Sequence, residues 1–236
     1  MTEKATPGRL DGLLAETVRA ERLVLIAFIG VNVLFPLALF VAGLPKPWRP
    51  FAGEDAPINW FSSVQCALIG GIAFATFIAT RLGHSAGTEP IPRSWPWLVF
   101  AAGFAAMSVD EQFTGHELIR EEILKPRGIL TDVGLLRAGD IVLILYVVVG
   151  LALAWFLLPE LRRKRASLIT FISAIVLIGI SAVQDALELA IFDNRDLRHA
   201  RTILEEVSEI WAQLLFAISF TLLLFLKLRL LLRSSR

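Results

Sequence analysis

The sequence predicts an all-α integral membrane protein, a bundle of six transmembrane helices with both termini in the cytoplasm. The first observation is composition: of 236 residues, 56% are hydrophobic and 19% are charged, and the mean hydropathy is +0.66. Soluble domains are about 45–50% apolar and about 25% charged, so lipid is the expected solvent. The second observation is that long apolar segments recur along the chain, with basic residues concentrated in alternate connections.

Each predicted helix follows from an apolar segment, since a span needs roughly 20 mostly apolar residues. The predicted spans lie near residues 23–44, 60–80, 95–117, 140–158, 167–190 and 205–228, in a single transmembrane domain covering 23–236. Residues 1–22 are predicted to be a cytoplasmic tail. Apolar residues at helical spacing between Arg9 and Arg22 favour a short interfacial helix there, and a partly ordered polar tail is the alternative. The first apolar segment starts too late and is too long for a cleaved signal peptide.

The orientation is predicted from the basic residues of the connections. With six spans, one side of the membrane receives 14 Lys and Arg residues and the other receives 9. The acidic residues are divided the opposite way, with 6 on the first side and 16 on the second. The first side is therefore expected to face the cytoplasm, and the protein is expected in a bacterial cytoplasmic membrane.

Several functional classes are excluded. The net charge of +1 gives no indication of nucleic-acid binding, and the single cysteine, Cys66, rules out an intrachain disulfide scaffold. No lysine lies inside a predicted span core, which excludes a retinal Schiff base.

Acidic side chains collect at the outer ends of the third, fifth and sixth spans, where the second span also begins. If Trp95 lies in the cytoplasmic aromatic belt, Asp110 lies roughly 20 Å above it and is expected to be buried. On the third span, helical spacing puts Asp110 and Glu117 on one stripe, which continues the small residues Gly103 and Ala106 and would let another helix approach. Ionisable groups at this depth are costly, so a compensating positive charge is expected.

A metal site is the first interpretation of this cluster, because carboxylates and histidine from several helices of a bundle commonly hold divalent ions. An oxygen-rich set favours Mg, Mn, Ca or Fe, or a mixed-ligand Zn. For hydrolysis of a lipid-like or periplasmic substrate, Glu111 or Glu117 would be the general base. The candidate ligands are Asp110, Glu111, His116, Glu117, Asp185, Glu188, Glu206 and Glu209, with Asn59, Ser62, Ser63 and Gln213 as supporting polar groups.

Two other interpretations stay open. Arginines on the same side, such as Arg198 and Arg201, could neutralise the acids in a structural ion-pair layer of a non-catalytic membrane scaffold. Alternatively, the carboxylates could belong to a proton or cation pathway in a transport protein. The cytoplasmic halves of the predicted spans contain almost no ionisable groups, which argues against a continuous pathway across the membrane. Substrate, oligomeric state and metal identity are not specified by the sequence.

The chain resembles a family of uncharacterised bacterial multi-pass membrane proteins. The resemblance rests on the segment 59–63, on a Ser-x-Asp-Glu…His-Glu motif at Ser108–Glu117, and on a Glu-Glu-x-x-Glu motif at Glu205–Glu209. After Glu209 the chain has Ile210 and Trp211, where the family pattern expects Met and a small residue. The resemblance implies that these positions belong together and implies no reaction. A more distant analogy is to seven-helix alkaline ceramidase-like zinc hydrolases, although the HxxxH pair is lacking.

Overall fold

A computed structural model of the protein describes residues 7–52, 55–87, 94–113, 115–127, 140–186 and 195–234. Within these ranges all regular structure is helical, which confirms the predicted all-α class. The helices are α1 (Pro7–Ala42), α2 (Pro57–Ser85), α3 (Trp95–Phe113), the one-turn α4 (Gly115–Leu118), α5 (Asp140–Leu161), α6 (Arg165–Ala186) and α7 (Arg195–Ser234). Shorter 3-10 turns lie at Arg49–Phe51 and Lys125–Arg127, and a π-helical turn lies at Ile119–Leu124.

Within the described ranges, three helices have the length and composition needed to cross a membrane. They contain the stretches Leu10–Ala42, Pro57–Ser85 and Asp196–Ser234, while Val147–Leu161 and Arg165–Ser181 are shorter apolar segments. These long apolar helices indicate a membrane protein whose surface is compatible with lipid contact. Six crossings and cytoplasmic termini stay predictions. Because α1 runs without a break from Pro7 to Ala42, the predicted tail helix and the first span are parts of one helix.

The long helix α7 organises the bundle, since α1, α2 and α6 all pack against it and α3 packs against α2. Serine pairs show the directions of neighbouring helices. Near the start of α2, Ser63 donates to the Ser108 carbonyl near the end of α3 (2.7 Å). At the start of α6, Ser167 donates to the carbonyl of Ser219, in the second half of α7 (3.0 Å). These two helix pairs are therefore antiparallel, and α5 packs along α3 and α6.

Aromatic rings fill the core where α3, α6 and α7 meet. Phe220 of α7 lies fully buried against the ring of Trp97 from α3, edge to face, with centroids 5.1 Å apart. Phe100 of α3 and Phe171 of α6 also pack against the Phe220 ring. Edge-to-face pairs add about 0.5–1.5 kcal/mol each beyond the area they bury, so this cluster fixes the rotation of the three helices.

The face that α3 presents to the bundle differs from the predicted one. Gly103 and Ala106 are exposed, and nothing approaches Gly103 closely, so the prediction that they admit a neighbouring helix is wrong. The close approach is instead made by Gly70 of α2, where a Cβ atom would lie 3.1 Å from the Ala101 carbonyl oxygen. Large aromatic side chains on α3 bury more apolar area than its small residues do, and they decide which face turns inward.

Charged groups cluster at the end of the bundle opposite to the start of α2, and we call this the basic end. Lys164, in the turn between α5 and α6, donates to Glu21 of α1 (2.6 Å), and Arg229 of α7 contacts the same carboxylate. Burial lowers the pKa of Lys164. Lys227, which is 3% exposed, pairs with Glu160 of α5 at 2.7 Å. These contacts place the early part of α1 and the late part of α7 at the same end of the bundle. Such an arrangement is expected when a chain crosses the membrane an even number of times.

Candidate functional site

Carboxyl groups from α3 and α7 meet at the end of the bundle where α2 begins. The Glu111 side chain forms hydrogen bonds with Glu209 and with Ser62, and it lies within electrostatic range of Glu206 and Asp110. We call Asp110, Glu111, Glu206 and Glu209 the carboxylate layer. A hydrogen bond between two carboxyl groups requires a proton on one of them, so the Glu111–Glu209 pair in this arrangement carries one negative charge rather than two.

A buried hydrogen-bond chain links this pair to α7 a second time. Gln213 lies one helical turn beyond Glu209, and its Nε2 donates to Ser62 Oγ at 2.6 Å. The hydroxyl of Ser62 is then free to donate to the Glu111 carboxylate. Gln213 and Ser62 are each 2% exposed, and Gln213 Oε1 is buried without a hydrogen-bond partner in the part of the chain that the structure describes. A buried oxygen without a hydrogen-bond donor is uncommon in proteins, and this amide oxygen of Gln213 lies beside the carboxylate layer.

Further polar residues of α2 surround the pair. Ser63 bonds both the carbonyl and, at 3.2 Å, the hydroxyl of Ser108, which ties α2 to α3 directly beneath the carboxylates. Cys66 is fully buried one turn further along α2 and lies within electrostatic range of Glu111 and Glu209. Gln65 donates to Asn32 of α1, which extends the polar region to a fourth helix.

An apolar cap lies beside the site, between α1, α2 and α7. Its buried members are Phe51, Ala56, Ile58, Phe61 and Ile210. On α7, the His199 ring stacks on Trp48 from the α1–α2 connection, with centroids 4.1 Å apart and an interplanar angle of 9°. This part of the connection therefore packs against the first turns of α7.

The structure brings some predicted residues together and separates others. Glu111, Glu209, Ser62 and Gln213 form one connected group, with Glu206 close by. Asp110 is half-buried rather than buried, and its Oδ1 lies 2.9 Å from where a Cβ of Gly115 would stand. Asn59 is half-buried, while Ser63 is buried against Ser108. Glu188 and the side chains of His116, Glu117 and Asp185 lie outside the described residues.

The predicted stripe on α3 places Asp110 inward, whereas the structure places Glu111 at the centre. Glu111 shares the inward face of α3 with Ser108 and Phe104, which lie three and seven residues earlier, and this spacing is the signal that locates Glu111. Cys66 is buried in the core on the same face of α2 as Ser62, four residues away, and the sequence did not place it beside the carboxylates. Here the aromatic packing of α3 is the better guide to orientation.

One predicted arginine does neutralise an acid nearby. Arg201 pairs with Glu205 across one helical turn at 3.3 Å, and its Nε donates to the Gln184 carbonyl of α6 at 2.7 Å. The ion-pair interpretation therefore applies to Glu205. Among the described side chains, no group of three or more His, Cys, Asp and Glu residues is arranged to hold a metal ion.

Comparison with known proteins identifies the family of this chain. The family model of DUF8692, a domain of unknown function, matches residues 22–224. The chain belongs to this family. No curated protein and no solved structure matches the chain. Membership in DUF8692 agrees with the predicted resemblance to an uncharacterised family, and the matched range contains every residue of the carboxylate layer together with Ser62, Cys66 and Gln213.

Proposed function

We propose that this DUF8692 protein is a multi-pass protein of a bacterial cytoplasmic membrane that binds a divalent metal ion at the Glu111–Glu209 pair. Both termini would be cytoplasmic, which puts the carboxylate layer in the outer leaflet. The observation that carries the proposal is the contact between the two carboxyl groups inside a helical bundle. Two such groups repel each other when both are ionised, and a bound cation relieves that repulsion.

The surrounding atoms suit a hard cation. Two carboxylates, the Ser62 hydroxyl and the unpartnered Gln213 Oε1 supply oxygen donors from α2, α3 and α7. Oxygen ligands favour Mg, Mn, Ca or Fe, and Cys66 or a histidine nearby would admit Zn. Glu206 and Asp110 lie within electrostatic range of Glu111 and are further proposed ligands. His116, Glu117, Asp185 and Glu188 are the remaining proposed ligands.

If the ion binds a water molecule, the site becomes a candidate hydrolase. A divalent ion lowers the pKa of bound water, and a carboxylate within hydrogen-bond reach would take the proton as the water attacks a substrate. Glu111 is our first candidate for this general base because it already accepts hydrogen bonds, and Glu117 is the second. The location in a membrane favours a lipid-like or periplasmic substrate.

Metal content tests the proposal directly. Protein purified in detergent is dialysed against Mg, Mn, Ca, Fe(II) or Zn and analysed by elemental mass spectrometry. Wild type should retain about one equivalent of one ion, and Glu111→Gln and Glu209→Gln should lose it. The control is Glu122→Gln, which neutralises an exposed carboxylate outside the carboxylate layer. Circular dichroism and gel filtration verify folding. Folded wild type without any retained ion contradicts the proposal.

Proton release gives a second readout. Because the Glu111–Glu209 pair must lose its shared proton when a metal binds, calorimetry in buffers of different ionisation enthalpy should detect about one released proton per ion. Affinity should fall as the pH is lowered. Binding without proton release would place the ion elsewhere.

A second candidate function is proton binding in a transport pathway, and the carboxyl–carboxyl hydrogen bond itself favours it. In that case no divalent ion binds, and infrared spectroscopy detects a protonated carboxyl band that disappears in Glu111→Gln. Buried ionisable groups at the basic end, Glu160 and Lys227, would provide a further step of such a pathway. If neither metal nor this band is found, the layer is structural, as in a membrane scaffold.

A further inference from the structure

A groove lies at the basic end, between the start of α3 and the end of α5, far from the carboxylate layer. Its volume is about 470 Å³. The groove is lined chiefly by Trp95, Pro96, Trp155, Phe156, Pro159 and Arg162. This volume is within the range of small-molecule sites, roughly 300–1,000 Å³. Aromatic and aliphatic walls thus lead to a single basic group at the edge of the groove.

The aromatic walls suit the boundary between lipid tails and headgroups. Trp155 is 74% exposed and Trp95 is 46% exposed, and the Trp95 ring meets Phe156 edge to face at 5.1 Å. Tryptophan is enriched at membrane interfaces because its ring is apolar and its N–H is polar. Such exposed rings are favourable where acyl chains cover them, so this wall indicates a lipid rather than a water-soluble ligand.

Arg162 is a cation with no acidic partner among the described residues. Its neighbours in the same turn differ: Lys164 pairs with Glu21 at 2.6 Å, and Arg163 lies 3.8 Å from Glu160. Arg165 follows at the start of α6, exposed and outside the groove. A guanidinium that pairs with none of the described acids and stands beside apolar walls matches a phosphate group, which it binds through two parallel N–H···O bonds.

A proline adds an acceptor to the same wall. Pro159 lies inside α5 and has no backbone N–H, so the carbonyl of Trp155, four residues earlier, lacks its helical hydrogen bond. Both residues line the groove. A headgroup that carries a hydroxyl donor beside its phosphate would satisfy this carbonyl and Arg162 together.

We propose that the groove binds one anionic phospholipid, with its phosphate on Arg162 and an acyl chain along Trp155 and Phe156. The surrounding charge supports an anionic over a zwitterionic lipid, because the turn contains four consecutive basic residues, Arg162 to Arg165. Basic pockets beside membrane helices select anionic headgroups in this way. In the orientation predicted from the sequence, the lipid belongs to the cytoplasmic leaflet. The proposal is independent of the metal site.

Native mass spectrometry of the full chain in detergent measures the binding. Phosphatidylglycerol and phosphatidylcholine with identical acyl chains are titrated in about 0.5 M ammonium acetate, where the Debye length is only about 4 Å and diffuse attraction is weak. Wild type should bind one phosphatidylglycerol at least tenfold more tightly than phosphatidylcholine. Arg162→Gln should weaken phosphatidylglycerol binding about tenfold, the value of one charge-assisted contact. The matched control Arg165→Gln removes the same charge from the same turn and should change it less than about twofold.

A separate substitution tests the contribution of the aromatic wall to lipid binding. Trp155→Ala should weaken both lipids by a similar factor, since the ring contacts the acyl chain that the two share. Equal losses in Arg162→Gln and Arg165→Gln would overturn the proposal in favour of diffuse attraction, and so would equal affinity of wild type for the two lipids. A dimer that Trp155→Ala converts to monomers, with no lipid retained, would overturn it in favour of a second copy of the chain.

Discussion

At the scale of single residues, the Ser62 hydroxyl connects three helices. It receives a hydrogen bond from Gln213 of α7 and bonds Glu111 of α3, although it belongs to α2. Serine in a membrane helix more often bonds its own backbone, and the sequence predicts Ser62 as a supporting polar group without indicating which helices it connects. Its role depends on the rotation of all three helices, which side chains distant in the sequence decide.

Ser62→Ala should therefore destabilise the protein. The substitution leaves the Gln213 amide and the Glu111 carboxyl each short of one partner, at a cost of about 1–2 kcal/mol. Unfolding in mixed detergent micelles, followed by circular dichroism, measures the change in free energy. Ser85→Ala is the control, because Ser85 is exposed and bonds only its own helix, and it should change stability by less than about 0.5 kcal/mol. Equal effects of the two substitutions would contradict the assigned role.

At the scale of helices, the sequence predicts well which segments are helical and approximately where each helix begins and ends. Each of the six long helices overlaps one predicted span, because length and apolarity are properties of contiguous residues. Helix rotation is predicted less well. For α3 the small-residue stripe through Gly103 suggests one face, and the aromatic side chains Trp97 and Phe104 turn the other face inward. The sequence accordingly predicts acidic residues at this depth, and the rotation of α3 brings Glu111 rather than Asp110 into contact with Glu209.

Two adjacent glycines of α2, Gly70 and Gly71, allow a matched test of the close contact between α2 and α3. At Gly70 a Cβ would meet the Ala101 carbonyl oxygen at 3.1 Å and the Ala105 nitrogen at 3.4 Å, whereas at Gly71 nothing lies within 4 Å. Gly70→Ala should push the helices apart and cost about 1–3 kcal/mol. Gly71→Ala should gain up to about 1 kcal/mol through helix propensity alone. The same micelle unfolding assay compares them, and a stabilised Gly70→Ala would contradict the close packing.

At the scale of the whole molecule, charge is separated along the helices, with carboxylates at one end and buried ion pairs at the other. Lys227 is almost fully buried and its Nζ contacts Glu160 at 2.7 Å. The sequence reasoning finds the excess of basic residues at this end but not these pairs, because a pair between α5 and α7 depends on tertiary contact. A buried cation that loses its partner is far costlier than the intact pair is stabilising.

Glu160→Gln should accordingly be among the most destabilising single changes, at about 3–5 kcal/mol. The double variant Glu160→Gln/Lys227→Met also removes the buried cation that faced Glu160 and should recover part of that loss. Arg163→Gln removes the exposed cation on the same carboxylate and should cost less than about 1 kcal/mol. Thermal unfolding monitored by tryptophan fluorescence ranks the three proteins. If the double variant is no more stable than Glu160→Gln, the loss comes from something other than the contact between Lys227 and Glu160.

The same charge separation predicts the orientation of the whole chain. The Arg229 side chain contacts Glu21, so the first and last helices have these parts at one end, and that end carries most of the 14 basic residues counted for the cytoplasmic side. A reporter fused after Arg236 that is active only in the cytoplasm should therefore be active, and an alkaline phosphatase fused there should be inactive. Alkaline phosphatase fused after residue 130, in the connection that follows α3, should show the opposite behaviour. An active phosphatase at Arg236 would place the carboxylate layer in the cytoplasmic leaflet, and the search for a substrate would then move from periplasmic molecules to cytoplasmic ones.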